Sequence, residues 1–267
     1  MRTAVISPSS PRVDDRLAST LTGPGECSGL ICDAVFEMAL TSGMASQAAF
    51  LFDLDGTLVD SVYQHVLAWH EALESEGISL SIWRVHRRIG MSGGLLINML
   101  LRETGMALDP ARIERISARH AEAYMRNARD ISPLPGAREL LRALTEARTP
   151  WAVATSARME TARPTLDLLG LSPERDPIVT RDDVRHAKPD PDLFLAAADR
   201  VGIDIEHSTV VGDSVWDMLA AKRARALGIG LLSGGYGAEE LERAGAYRVF
   251  ADPAAMLHHL DELGVRS

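Results

Sequence analysis

The sequence predicts an α/β protein that has a Rossmann-like parallel-sheet core and an inserted all-helical cap domain. After residue 136, short apolar segments alternate with amphipathic helical segments, a pattern typical of a parallel sheet covered on both faces. Residues 62–132 show helical spacing and no strong strand pattern. We therefore predict a core of residues 45–61 and 133–267, a cap of residues 62–132 and a flexible N-terminal extension of residues 1–44.

The first predicted strand is the apolar segment Ala48–Phe52, which is followed by two acids, Asp53 and Asp55, and by a turn at Gly56 and Thr57. Side chains two positions apart in an extended chain point the same way. Two carboxylates held together repel each other and are costly to desolvate, so the pair predicts a bound cation or a reaction. The alternative is a surface turn.

The predicted cap begins with a helix that ends at Gly77. Its apolar residues repeat at helical spacing, at Val62, Val66, Trp69 and Leu73. Further helical segments follow at Ile82–Ile89, Leu95–Thr104 and Ala111–Arg129, before a linker at Pro133–Gly136.

Strands are predicted at Trp151–Ala154, Ile178–Thr180, Thr209–Val211 and Ile229–Leu232. Each of them follows a predicted helix, in the order Ala137–Ala147, Glu160–Leu169, Leu193–Val201 and Val215–Ala226. Because ligands of parallel α/β sheets bind at the carboxyl ends of the strands, polar residues after each strand are candidates for a site.

Three groups of polar residues satisfy this condition. Thr155 and Ser156 precede a helix, where hydroxyls and free amides can hold phosphate, although they could also be simple caps. Lys188 is held in an extended conformation by the proline after it, although a lone lysine is usually a solvated surface residue. Asp213 and Asp217 lie four residues apart at a helix start, where an acid can also be only a cap. Together with Asp53 and Asp55, they suit a hard cation such as Mg²⁺.

Composition excludes some classes of partner. The 267 residues include 28 Lys and Arg and 37 Asp and Glu, a net charge of −9, which argues against a nucleic-acid or anionic-membrane surface but allows a small anionic substrate. Two cysteines, Cys27 and Cys32, are typical of a reducing compartment. No apolar segment is long enough for a membrane span and no secretory signal is visible, so we expect a cytoplasmic protein. The oligomeric state is left open.

Residues 1–44 contain turn signals without periodicity, which indicates the flexible extension. An alternative hypothesis is that Met44, just before the first strand, is the true start of the protein.

Taken in order, an acid pair, a hydroxyl pair, a lysine and a second acid pair follow successive strands. In this order the sequence resembles the haloacid dehalogenase-like hydrolase superfamily from about Ala48 to its C-terminus. The helical insert resembles that superfamily's mobile cap of the β-phosphoglucomutase and phosphoglycolate phosphatase type.

The resemblance implies roles for the acids. Asp53 would attack phosphorus to give an aspartyl-phosphate, and Asp55 would protonate the leaving oxygen and then deprotonate water. Mg²⁺ would be held by Asp53, the backbone carbonyl of Asp55 and Asp213, with Asp217 as a ligand or a supporting group.

The resemblance also implies that Thr155, Ser156 and Lys188 bind the phosphoryl oxygens. The cap would select the substrate through the candidate residues His65, Arg87 and Arg88 and the turn Ser92–Gly94. The two arginines could instead be solvated, and His65 could be a packed core residue.

The implied function is a Mg²⁺-dependent phosphatase acting on a small phosphate monoester, such as a sugar phosphate or phosphoglycolate. The alternative is a phosphomutase of the β-phosphoglucomutase type, which shares this core. Dehalogenation is disfavoured because dehalogenases lack an acid at the position of Asp55. A non-catalytic binding protein is disfavoured because Asp53, Asp55, Lys188 and Asp213 are all present.

Overall fold

A computed structural model describes residues 48–105 and 109–266 of the chain. The predicted extension and the hypothesis about Met44 lie outside these residues. Eight strands occur in the described part of the chain: β1 Ala49–Phe52, β2 Val59–Asp60, β3 Ser132–Pro133, β4 Trp151–Ala154, β5 Ile178–Val179, β6 Ser208–Gly212, β7 Leu227–Leu231 and β8 Ala246–Phe250.

Six of these strands form one sheet in the order β5-β4-β1-β6-β7-β8, and every neighbouring pair is parallel. The central strand, β1, is buried along its whole length because helices cover both faces of the sheet. Its last residue, Phe52, lies opposite Val153 of β4 and Val211 of β6. The carboxyl ends of these three strands therefore meet at one edge, and the predicted fold class is confirmed.

The described helices are α1 Val62–Ser75, α2 Ile82–His86, α3 Gly93–Thr104, α4 Pro110–Asn127, α5 Ala137–Glu146, α6 Met159–Leu169, α7 Asp192–Val201, α8 Val215–Ala224, α9 Ala238–Ala244 and α10 Pro253–Leu257. One local prediction is wrong. Gly93 and Gly94 belong to the first turn of α3 and not to a turn before it, and Ser92 occupies the N-cap position.

A short antiparallel ribbon of β2 and β3 joins the helical segment to the sheet. Val59 pairs with Pro133 and Asp60 pairs with Ser132, so the chain leaves and re-enters the core at one place. Strands of two residues have no detectable periodicity, which is why the sequence pattern does not predict this ribbon. The division into core and cap stays a prediction.

The helices between β2 and β3 have an apolar core of their own. Side chains of α1, α3 and α4 build it, among them Val66, Leu73, Leu100 and Ile116. Their burial follows from the helical spacing of apolar residues in the sequence. No helix in the part of the chain that the structure describes is long and apolar enough to cross a bilayer.

Candidate active site

Asp53 follows β1 directly and is buried, with 3% of its surface exposed. Its backbone N–H donates to the carbonyl of Val211 at 2.9 Å, which continues the pairing of β1 with β6. The chain then turns at Gly56, whose φ is +83°. A Cβ at this position would lie 2.6 Å from Oδ2 of Asp213, so the tight approach of the turn to that carboxylate requires glycine.

Lys188 is fully buried, so the alternative of a solvated surface lysine is wrong. Its Nζ forms an ion pair with Oδ1 of Asp53 and a second ion pair, at 2.9 Å, with Oδ1 of Asp217. A buried ammonium is stable only when it is paired in this way. The lysine therefore joins the end of β1 to the start of α8.

Three buried carboxylates lie together at this edge of the sheet. Asp53, Asp213 and Asp217 each offer an oxygen within 4.8 Å of the oxygens of the other two. The hydroxyl of Thr57 donates to Oδ1 of Asp213 at 3.0 Å, and the backbone N–H of Ser214 donates to Oδ2 of Asp217 at 3.1 Å. One lysine cannot neutralise three carboxylates. The excess negative charge and the all-oxygen donor set fit a hard divalent cation.

The pKa values of the buried groups reflect the same excess of negative charge. Burial raises the pKa of Asp53 to about 7, against the opposing effect of Lys188. Burial, together with the charges of Asp217 and Asp53, also raises the pKa of Asp213. Burial alone would lower the pKa of Lys188, but the charges of Asp217 and Asp53 outweigh it and raise that pKa. The lysine is therefore charged, and a bound cation would stabilise the ionised acids.

The carboxylate of Asp55 faces the helical segment. Its Oδ1 accepts a hydrogen bond from the hydroxyl of Ser61 at 2.6 Å and lies 3.3 Å from Nε2 of His65. Burial opposes ionisation of Asp55, but the charge and hydrogen bond of His65 and the bond from Ser61 outweigh it, so its pKa is lowered. The structure thus brings His65 to Asp55.

A second histidine, His120 of α4, stands behind His65. The two rings share a hydrogen bond of 3.0 Å between Nδ1 of His65 and Nε2 of His120. His65 stacks on Tyr124 with ring centroids 3.9 Å apart, and His120 stacks on Trp69 at 3.8 Å. Burial, assisted by His65, lowers the pKa of His120 well below its ordinary value, so this ring is neutral near pH 7.

Sequence reasoning missed His120 as a site residue. A signal was present, because His65 and Trp69 on α1, and His120 and Tyr124 on α4, are both pairs at i and i+4. The spacing places each pair on one helix face but does not show that the two faces meet.

Thr155 and Ser156 follow β4, as predicted. The hydroxyl of Thr155 accepts from the N–H of Ala157 at 3.0 Å, and the hydroxyl of Ser156 donates to the carbonyl of Gly90 at 3.0 Å. The N-cap position of α6 belongs to Arg158, so the alternative of simple helix caps is wrong.

A cleft of about 830 Å³ lies between the sheet edge and the helical segment. Its sheet side is lined by Asp53, Asp55, Thr155, Ser156 and Lys188. Its helical side includes His65, Trp69 and His120.

The structure does not bring Arg87 or Arg88 into this cleft. Arg87 forms an ion pair with Glu240 and lies over the ring of Tyr236, 4.2 Å from its centroid. Arg88 forms an ion pair with Glu103. Both guanidinium groups therefore have acidic partners and neither is freely solvated.

The family model of the haloacid dehalogenase-like hydrolases matches residues 47–225. The chain belongs to this family. The match covers every strand-end group described above, from Asp53 to Asp217. The family prediction made from the order of those groups is confirmed.

Curated haloacid dehalogenase-like relatives include phosphatases. The phosphoglycolate phosphatase of Caulobacter vibrioides is 33% identical over 201 residues, which are 74% of this chain and 84% of that protein. Hexitol phosphatase A of Escherichia coli is 33% identical over 177 residues, 66% of this chain and 78% of that protein. These relatives confirm the predicted class of enzyme, a phosphatase of this family.

Among solved structures, a hydrolase from Pseudomonas syringae is 56% identical and has a TM-score of 0.80, covering 81% of this chain and 99% of its own. A β-phosphoglucomutase from Clostridium difficile is 21% identical and has a TM-score of 0.70, and the match covers 82% of this chain and 100% of that chain. At that identity the likeness shows the fold alone, so the mutase alternative has weaker support.

Proposed function

We propose that the chain is a Mg²⁺-dependent phosphatase that hydrolyses a small phosphate monoester through an aspartyl-phosphate intermediate. One observation carries the proposal: Asp53 is held against Lys188 and beside Asp213 at the sheet edge, with Asp55 directly alongside. In this proposal residues 62–132 form the cap, and residues 45–61 and 133–267 form the core. The partner is a small phosphorylated metabolite, and the compartment is the cytoplasm.

In the first step, Oδ of Asp53 forms a bond to phosphorus while the bond from phosphorus to the leaving oxygen breaks. Asp55 gives its proton to that oxygen. In the free protein the pKa of Asp55 is lowered, so its carboxyl group is ionised. It takes up the proton from solvent when the phosphate dianion enters and opposes its ionisation. In the second step Asp55 accepts a proton from water, which attacks phosphorus and releases phosphate from Asp53.

The phosphoryl oxygens are bound by Lys188 and by the hydroxyls of Thr155 and Ser156, which share the cleft with Asp53. Lys188 and Thr155 are held in place by a buried ion pair and by a strand end, and the hydroxyl of Ser156 would exchange its bond to the carbonyl of Gly90 for one to the phosphoryl group. His65 orients Asp55 from the helical side. No contact in this conformation supports a substrate role for Arg87 or Arg88, so both stay predictions.

The donor set fits Mg²⁺, which would be held by the carboxylates of Asp53 and Asp213 and the backbone carbonyl of Asp55. Asp217 is either a further ligand or the residue that positions Lys188. The bound ion would neutralise charge where an anionic nucleophile meets an anionic phosphate.

The test is phosphate release from a panel of phosphate monoesters, with Mg²⁺ and with a chelator. We expect release that requires the metal and is lost in Asp53→Asn. Isomerisation of a sugar phosphate without net phosphate release would replace the proposal by the mutase. Absence of both reactions across the panel would refute it.

A further inference from the structure

The two walls of the cleft differ in the charged side chains that line them. The distal wall consists of the cleft-lining residues of α3 and α4, among which are Asn98, Ile113, Glu114, Ser117, Ala118 and Ala121. Within the described residues this wall contains no lysine or arginine, and its one acidic side chain is that of Glu114. A second anionic group on a substrate would find no cation here.

The cationic side chains on the sheet side of the cleft already have partners within the protein. Lys188 is paired with two carboxylates next to the reacting centre. Arg158 forms an ion pair with Asp182 at 2.9 Å, and its side chain is 73% exposed. Arg181 donates to the backbone carbonyl of Val184 at 2.6 Å. Both arginines follow strands of the sheet.

The volume of the cleft gives an independent limit on the substrate. About 830 Å³ is within the range of pockets that enclose a whole metabolite. A phosphate ester with only two carbons would leave most of that space filled with water. A chain or ring of five or six carbons would fill more of it.

The distal wall can bind hydroxyl groups. Asn98 offers both donors and an acceptor, and the hydroxyl of Ser117, which donates to the carbonyl of Ile113 at 2.9 Å, retains its acceptor capacity. Apolar contact is supplied by Ile113 and by Trp69, whose ring lines the cleft. Neutral hydrogen-bonding groups beside apolar surface suit a polyhydroxylated carbon chain, which presents C–H and O–H groups in turn.

We infer that the substrate is the monophosphate of a neutral polyhydroxylated compound, a polyol or a sugar of about five or six carbons. Esters that carry a carboxylate or a second phosphate are poor substrates, because the second anion would lie beside the carboxylate of Glu114 and find no cation on this wall. This inference rests on the proposed phosphatase function and deepens it.

Two matched pairs of esters test the inference with the Mg²⁺-loaded full chain. Glucitol 6-phosphate and gluconate 6-phosphate share six carbons and differ in a terminal hydroxymethyl or carboxylate. Hydroxyethyl phosphate and phosphoglycolate differ in the same way over two carbons. We expect kcat/KM to be about 10-fold or more higher for the neutral ester of each pair, and higher for six carbons than for two.

Equal or faster hydrolysis of the acidic ester in both pairs would overturn the inference and leave the phosphatase proposal intact. Hydrolysis of none of the four esters, with release from other monoesters, would also overturn it. Release from no ester at all would remove the proposed function itself. The three results are distinguishable in one series of measurements.

A charge placed on the distal wall sharpens the test. Ala118→Arg adds a cation to the cleft, and we expect it to raise kcat/KM for gluconate 6-phosphate relative to glucitol 6-phosphate by about fivefold or more. Ala111→Arg adds the same charge to an exposed position of α4 that does not line the cleft, and the ratio should not change. Glu114→Gln should shift the ratio in the same direction by about twofold.

Thermal unfolding of the three variants checks that each is folded. An unchanged ratio in both Ala118→Arg and Glu114→Gln would show that the substrate does not reach the distal wall, and would overturn the inference.

Discussion

The two sides of the cleft are built from different kinds of side chain. On the sheet side, charged groups are buried in contact with one another: Lys188 and Asp217 are fully buried, and Asp53 and Asp213 are each 3% exposed. On the helical side, the groups nearest the reacting centre are stacked aromatic rings, including a neutral His120. Burying charge is unfavourable unless it is paired, so such charge is concentrated where the proposed chemistry needs it. The proposed reaction therefore depends on buried ion pairs on the sheet side, and the proposed selection of substrate depends on uncharged packing on the helical side.

The largest effect should come from the sheet side. Asp53→Asn keeps the size of the side chain but removes the nucleophile, so we expect kcat to fall by more than about 1,000-fold. Acid quenching with labelled substrate should show no phosphoenzyme in this variant. Asp60→Asn, at an exposed position of β2, is the matched control and should be fully active. Turnover retained in Asp53→Asn would exclude Asp53 as the nucleophile.

The chain has only two lysines, Lys188 and Lys222, which allows a clean comparison. Lys188→Met removes the charge that the proposal aims at the phosphoryl group, so kcat/KM should fall by about 100-fold or more. Lys222→Met, at an exposed position of α8, should change kcat/KM by less than about twofold. Comparable activity of the two variants would contradict the role of Lys188. Circular dichroism would confirm that both are folded.

The carboxylate cluster should destabilise the metal-free protein as pH rises. The pKa of Asp53 rises from its ordinary value of 3.8 to about 7 on folding, and that of Asp213 is also raised. The folded state then binds more protons than the unfolded state between about pH 4 and pH 7, so its free energy of unfolding falls across that window as pH increases.

Asp213→Asn removes one of these acids and retains an oxygen that can accept from Thr57. In chelator at pH 8 the free energy of unfolding of this variant should exceed that of the unmodified chain, because the variant no longer buries this acid beside two others. At pH 4 the difference should be smaller, and the stabilisation of the unmodified chain by added Mg²⁺ should be lost in the variant. Urea unfolding at both pH values measures this, and a less stable variant at pH 8 in chelator would contradict it.

The smallest effect should come from a partly exposed ion pair between the helical segment and the core. The side chains of Arg87 and Glu240 are 34% and 42% exposed, so solvent screens their attraction. We expect Glu240→Gln to lower the free energy of unfolding by less than about 1 kcal/mol and to leave kcat unchanged. A large loss of activity with intact folding would instead show that this contact controls how the helical segment is placed over the cleft.

Much of the sheet side could be predicted because parallel strands align their carboxyl ends. Asp53, Asp55, Lys188 and Asp213 are recognisable as residues that follow apolar strand segments. Other parts had no local signal. The strand β8 lies at the edge of the sheet and is only partly buried, so it lacks a continuous apolar segment, and the helices α9 and α10 have only 7 and 5 residues.

The sequence by itself determined which acids and which lysine would meet, because strand periodicity and strand-end position are local properties that a parallel sheet converts into proximity. Only the tertiary structure decided that His65 meets His120, that Arg87 faces Glu240 and not the cleft, and that the distal wall contains no lysine or arginine among the described residues. Contacts between helices depend on how their faces pack against each other, and helical spacing specifies which residues share a face but not which face lies opposite.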